Sequence, residues 1–211
     1  GSPRQLTLLD GDPVFASPAW SADGRALFVS RYRAELDAYE LWSFDATSGE
    51  GDLIVPIRGS DDQPRAAWRS TLGAAPSRDG RHLYYAVHVG PGETGRVPEW
   101  TIRRRDLRDG GEETLVSAPL SPRPDLVLGT AMRPAISPDG RWLVYGARYQ
   151  SRTGLRVLDL RTRTDRWLAF PVQQDELGAT HMRDLLPRHA FAPDGKSLIV
   201  NIDGGLRRLA L

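Results

Sequence analysis

Apolar and polar residues alternate along most of the chain in short runs, and the runs are broken by turns rich in Gly, Asp and Pro. A two-residue period of this kind predicts half-buried β-strands rather than helices. Four of the breaks are copies of one phrase. They read Pro18-Ala-Trp-Ser-Ala-Asp-Gly-Arg-Ala-Leu-Phe-Val-Ser30, Ala74-Ala-Pro-Ser-Arg-Asp-Gly-Arg-His-Leu-Tyr-Tyr-Ala86, Pro134-Ala-Ile-Ser-Pro-Asp-Gly-Arg-Trp-Leu-Val-Tyr-Gly146 and His189-Ala-Phe-Ala-Pro-Asp-Gly-Lys-Ser-Leu-Ile-Val-Asn201. Their glycines, Gly24, Gly80, Gly140 and Gly195, are spaced 56, 60 and 55 residues apart. Each copy predicts a β-hairpin closed by a type I turn, with the glycine in the left-handed region as a bulge. Only glycine takes that conformation without strain, which explains why it is invariant among the four copies.

A third strand follows each hairpin: Glu40–Phe44, Trp100–Arg104, Leu155–Leu160 and Leu206–Leu211. Short polar turns lead to fourth strands at Leu53–Ile57, Glu113–Val116 and Arg166–Phe170. Repeated four-stranded antiparallel units predict an all-β fold, a β-propeller of four blades in a single domain over residues 1–211. The blades are expected at about 14–57, 74–117, 134–170 and 189–211. The last unit stops after its third strand, and Arg4-Gln-Leu-Thr-Leu-Leu9 reads as a lone fourth strand. Residues 4–9 are therefore expected to pair with Leu206–Leu211 and close the ring; the competing reading is an open arc of a larger propeller. Closure matters because unpaired strand edges invite aggregation.

Strands in a blade alternate direction, so the turns sort by face. The Asp-Gly turns and the third-to-fourth turns are short and share one face. The opposite face is expected to carry long loops, Arg31–Ala38, Arg58–Gly73, His88–Pro98, Ala118–Arg133, Arg148–Thr153 and Pro171–Arg188. Long loops in compact domains are commonly functional. The candidate interaction residues are Asp61, Asp62, Trp68, Arg69, His88, Arg148, Tyr149, Asp175, Glu176, His181, Arg183 and Asp184, which supply charge and aromatic surface to that face.

Charge and composition narrow the function. Of 211 residues, 28 are Lys or Arg and 27 Asp or Glu, a net charge of +1, which argues against nucleic acid as the partner. There is no cysteine, so disulfides, thiol catalysis and Cys-type zinc sites are excluded. No apolar run reaches the roughly 18 residues of a membrane span, so no membrane insertion is expected. No signal peptide is visible, and Gly1-Ser2 reads as a cloning remnant. Tests for chemistry fail: there is no Gly-x-Ser-x-Gly elbow, P-loop or Gly-x-Gly-x-x-Gly. His82 and His189 fall in or beside strands, and His88 and His181, in loops, are too few for a zinc site. Asp23, Asp79, Asp139 and Asp194, each one residue before a turn glycine, read as turn-capping groups bonded to the turn's own amides rather than as metal ligands. Trp20, Phe28, Trp42, Tyr84, Tyr85, Trp142, Tyr145 and Trp167 are expected between blades, with Trp68 and Trp100 in or beside loops. No catalytic residue, metal or cofactor is assigned.

The Ser137–Arg141 phrase resembles the TolB-type propeller repeat of bacterial exported proteins. A longer stretch, Arg133–Tyr149 with Thr153–Leu160 and Arg166–Gln173, resembles the N-terminal propeller of large TolB-like amidohydrolases, and the likeness continues through Arg183–Pro187 and Phe191–Gly195. Gly73–Gly80 fits the same pattern, whereas Ala22 and Arg78 stand where that family has Pro. In that family a metal-dependent hydrolase domain follows the propeller, and nothing in this chain matches it. The resemblance implies a non-catalytic module, periplasmic or extracellular, that contacts a protein or an adjacent catalytic domain through the long-loop face. Two other readings stay open: the substrate-gating propeller of a prolyl-oligopeptidase-type peptidase, and a free-standing protein-binding scaffold.

Overall fold

The computed structural model describes residues 4–7, 14–90, 100–117, 131–149, 152–174 and 189–211. They form an all-β, four-bladed propeller. Blade 1 contains β1 (Val14–Trp20), β2 (Ala26–Arg33), β3 (Ala38–Asp45) and β4 (Gly51–Val55). Blade 2 contains β5 (Arg69–Pro76), β6 (His82–Val89), β7 (Trp100–Asp106) and β8 (Glu112–Val116). Blade 3 contains β9 (Ala131–Ile136), β10 (Trp142–Tyr149), β11 (Arg152–Asp159) and β12 (Asp165–Gln174). Blade 4 contains β13 (His189–Phe191), β14 (Ser197–Ile202) and β15 (Gly205–Ala210). Every neighbouring pair is antiparallel, and a 3-10 turn at Arg65–Ala67 is the sole helical element among the described residues.

The four Asp-Gly phrases form the turns expected of them. The amides of Gly24, Gly80, Gly140 and Gly195 each donate to the carbonyl three residues back, at 2.8–3.0 Å, and each glycine has a φ of +66° to +72°. The aspartates cap their own turns. Oδ1 of Asp23, Asp79, Asp139 and Asp194 accepts the amide of Arg25, Arg81, Arg141 and Lys196 at 2.9–3.1 Å. In the first three copies a serine completes the turn. Ser21, Ser77 and Ser137 donate their hydroxyls to the aspartate and accept an amide from the second strand. The hydrogen bond from Ser77 lowers the Asp79 pKa, as that from Ser137 does for Asp139. In two blades the turn also ties to the third-to-fourth-strand turn, through Arg81 to Asp106 at 2.9 Å and Arg141 to Asp159 at 2.7 Å.

Apolar side chains fill three of the seams between blades. Phe28, Leu41 and Val55 of blade 1 meet Leu83, Tyr85 and Val87 of blade 2. Tyr84, Ala86 and Ile102 meet Leu143, Tyr145 and Leu158 between blades 2 and 3. Val144, Leu155 and Val157 meet Leu198 and Val200 between blades 3 and 4. Burying alternate faces of each sheet in this way is what makes a stack of individually marginal sheets stable. Two aromatics expected in the seams lie elsewhere: Trp20 is 54% exposed and Trp167 36%. Trp20 ends the inner strand at the rim of the central channel, and Trp167 lies over its own sheet at Gly154, its ring 4.7 Å from that of Phe170 and 4.8 Å from the Arg156 guanidinium carbon.

Among the described residues the expected closure by the N-terminal segment is not found; Leu8 and Leu9 of that segment lie outside them. Residues 4–7 form no strand, and Arg4 donates to the carbonyl of Ala46, in the β3–β4 turn of blade 1. That contact holds the segment beside blade 1 instead of along β15. Among the described residues the fourth sheet therefore has three strands, β15 is its edge, and Leu206 on that edge is 81% exposed. No apolar cluster joins blade 4 to blade 1 among the described residues.

Candidate functional site

The inner strands β1, β5, β9 and β13 surround a central channel with a cavity of about 410 Å³. Its lining is layered because the repeat is layered. Trp20, Pro76, Ile136 and Phe191, each four residues before a turn glycine, form an apolar collar at the short-turn end. Ala19, Ala75, Ala135 and Ala190 form the next ring. Deeper still, Ser17, Gly73 and Arg133 have φ values of +53°, +76° and +50°, and each sits where the inner strand slips register against its neighbour. These bulges bend three inner strands at the same level, toward the long-loop end. The Gly73 amide donates to Ser30 Oγ of blade 1 at 3.1 Å, tying blade 2 to blade 1.

On the long-loop face, residues 56–68 connect blade 1 to blade 2. Gln63 organises this connection: its side chain accepts the Gly59 amide at 2.6 Å and donates to the Ala67 carbonyl at 2.7 Å. Trp68 donates its indole N–H to the Gln63 carbonyl at 2.9 Å, and the guanidinium carbons of Arg58 and Arg65 lie 5.5 and 5.8 Å from its ring centre. Arg58 also pairs with Asp61 at 2.8 Å, leaving the Asp61 side chain 95% exposed. Asp62 is exposed too, and the Ser60 hydroxyl lowers its pKa. Beside the loop lies a groove of about 380 Å³ lined by Arg33, Leu36, Glu40, Leu53, Ile57 and Arg58 among others. Buried Glu40 at its base accepts from Arg33 at 3.1 Å and from the Trp42 indole at 2.9 Å.

The other sequence candidates are placed differently from expectation. His88 lies within β6, opposite Ser70 and Trp100, with its ring 5.9 Å from that of Trp100. Arg148 and Tyr149 lie within β10, whose ladder with β11 continues through Arg148↔Thr153 and Tyr149↔Arg152. The expected Arg148–Thr153 loop is thus mostly strand, and the Arg31–Ala38 loop reduces to residues 34–37, between β2 and β3. Both hairpins are longer than their apolar cores suggest, since charged residues flank the apolar run and still pair through the backbone. Asp175, Glu176, His181, Arg183 and Asp184 lie outside the described residues.

Arg69 opens β5, and its guanidinium joins a half-buried polar cluster that the repeat phrase alone did not disclose. Glu112 accepts from Arg69 at 3.0 Å, Arg103 at 3.0 Å, Arg105 at 3.1 Å and the Tyr85 hydroxyl at 2.7 Å. Burial pushes the Glu112 pKa up, but Tyr85 and the arginines more than offset this and hold it below the ordinary value. Blade 3 repeats the arrangement with one arginine: Asp165 accepts from the Tyr145 hydroxyl at 2.6 Å and from Arg156 Nε at 3.1 Å. The signal was present in the sequence. Tyr85 and Tyr145 both stand five residues after a turn glycine, and each has an arginine opposite it on the third strand.

Among the described residues no group of three or more His, Asp or Glu side chains is arranged to hold a metal ion, and no helix is long and apolar enough to cross a membrane. No family model matches the chain. Over 151 residues it is 27% identical to an acidic endochitinase from Cucumis sativus, which covers 69% of this chain and 51% of that protein. The chain thus spans about half the length of the curated relative it matches. In three dimensions it is similar to a chain of the nidogen/laminin complex, with a TM-score of 0.56 and 15% identity over 90% of this chain and 57% of that one. A prolyl endopeptidase superimposes with a TM-score of 0.55 and 16% identity over 95% of this chain and 27% of its own. A TolB-type protein from Agrobacterium tumefaciens gives 0.52 and 16% identity, over 89% of this chain and 69% of its own. At these identities the likeness is one of fold alone, that of a β-propeller.

Proposed function

We propose that this chain is a non-catalytic TolB-like propeller module that engages a protein or an adjacent catalytic domain through its long-loop face, as part of an exported, amidohydrolase-like hydrolase. The supporting observation is the 56–68 connection. It holds Trp68 between two guanidiniums and presents Asp61 and Asp62 to solvent beside the groove at Glu40. An aromatic and arginine core with a charged rim is the composition of a recognition surface.

The test compares hydrogen exchange in the complete gene product and in this chain alone. Amides of residues 59–68 are expected to exchange at least about tenfold more slowly in the complete product. The double variant Asp61→Lys and Asp62→Lys is expected to abolish that difference. Equal exchange in the two proteins overturns the reading, and so does hydrolysis by this chain alone that a chelator abolishes.

One observation favours the gating propeller of a prolyl-oligopeptidase-type peptidase as a second reading: the central cavity of about 410 Å³, with an apolar collar at one end. Flanking coding sequence separates the readings. A histidine-rich metal motif supports the first and a Gly-x-Ser-x-Gly elbow the second.

A further inference from the structure

The cluster around Glu112 carries more positive charge than its structural role requires. Three arginines, Arg69, Arg103 and Arg105, converge on one carboxylate, a surplus of two positive charges. Their side chains are 37%, 21% and 25% exposed, so the cluster is half-buried yet open to solvent. Among the described residues the buried Arg103 Nε has no hydrogen-bond partner. Buried donors are almost always satisfied, and a charged one left unsatisfied is costly.

The repeat supplies its own control. In blade 3 the same tyrosine–carboxylate–arginine unit is balanced, with one arginine to one aspartate, and Arg156 uses its Nε on Asp165. The partner of Asp165 across the β11–β12 ladder is Leu158, where the partner of Glu112 across β7–β8 is Arg105. A leucine is therefore sufficient for the blade to fold. The extra cations of blade 2 have no counterpart in blade 3.

We propose that this cluster, near the seam of blades 1 and 2, is a binding site for a doubly charged tetrahedral oxyanion of the sulfate or phosphate class. Arg103 Nε supplies the inner donor. The guanidinium N–H groups of Arg69 and Arg105 that Glu112 does not occupy supply the outer ones. Guanidinium forks match the oxygens of such an anion, and two negative charges neutralise the surplus. Glu112 keeps the three arginines converged when the anion is absent.

The experiment is calorimetric titration of the full chain with sodium sulfate and sodium phosphate in a chloride buffer of matched ionic strength, for wild type and for Arg105→Leu. That variant copies the residue blade 3 already carries at Leu158. Saturable one-site binding is expected in wild type, weakened at least about fivefold in the variant by loss of one charge-assisted donor. Sulfate also stabilises proteins generally by exclusion from their surface, but that effect does not saturate and is common to both proteins. If Arg105→Leu does not give the wild-type circular dichroism spectrum, Arg69→Met replaces it with the same expected loss. Absence of saturable binding in wild type, or equal affinity in the folded variant, overturns the proposal.

Discussion

Tyr85 and Tyr145 occupy the same place in consecutive blades, are both fully buried, and both donate to a carboxylate, yet their removal should have unequal consequences. Tyr145→Phe takes away the donor to Asp165 Oδ2 at 2.6 Å, and no other donor reaches that oxygen among the described residues. The other carboxylate oxygen keeps Arg156. Tyr85→Phe takes away the donor to Glu112 Oε1 at 2.7 Å, but Arg69 at 3.2 Å and Arg105 at 3.1 Å still bond to the same atom. A hydrogen bond to a charged group contributes about 1.5–3 kcal/mol, and a redundant one less, about 0.5–1 kcal/mol. The ring stays in place in both variants, so no cavity contribution confuses the comparison.

For a chain of this length, 1 kcal/mol moves the melting temperature by about 2–4 °C. Tyr145→Phe is therefore expected to melt roughly 3–12 °C below wild type and Tyr85→Phe no more than about 1–4 °C below it. The assay is thermal unfolding followed by far-ultraviolet circular dichroism and by tryptophan fluorescence together, since coincident transitions show that the blades unfold as one unit. A loss in Tyr85→Phe equal to or greater than that in Tyr145→Phe would refute the redundancy argument.

Two further outcomes follow from the packing and the charge balance. Gly154→Ala should destabilise by about 3 kcal/mol or more, as overpacking does at its worst, because a Cβ there meets Phe170 at 2.6 Å, Trp167 at 2.7 Å and the Ala169 carbonyl at 2.8 Å. Gly140→Ala, where a Cβ meets nothing and only the +72° φ is strained, should lose about 1–2 kcal/mol; urea unfolding that ranks the two the other way contradicts this. Because the Glu112 pKa is lowered in the folded protein, its contribution is present above the ordinary carboxyl pKa of about 4.3 and is lost as pH falls through the lowered value. Glu112→Gln should thus be less stable at neutral pH yet show a flatter loss of stability below about pH 4.3, measured by urea unfolding across pH.

The features that were legible in the sequence are the ones a local rule dictates. Gly24, Gly80, Gly140 and Gly195 are forced by a left-handed turn position, and the aspartates before them by the amides two residues on, so both were readable from spacing. Strand ends were not. Arg33, His88 and Arg148 look like loop residues because they are polar, but a strand can carry polar residues at its ends while its backbone stays paired. The placement of residues 4–7 was not legible for a related reason. An apolar alternating segment shows that a strand is possible, whereas its partner is a long-range choice, and Arg4 finds its acceptor at Ala46.

Comparison of the blades with one another carries the remaining step. Equivalent positions in a repeat share a structural role, so a residue that all copies hold in common explains the scaffold, and a residue that one copy holds alone asks for another cause. The turn aspartates are common to all four blades and the tyrosine–carboxylate–arginine unit to two, and both are accounted for by the hydrogen bonds they make. Trp68 with Arg58 and Arg65, and Arg69 with Arg105 on Glu112, belong to one copy each among the described residues. Both groups cluster where the chain passes from blade 1 to blade 2, and adjacent Trp68 and Arg69 connect them covalently.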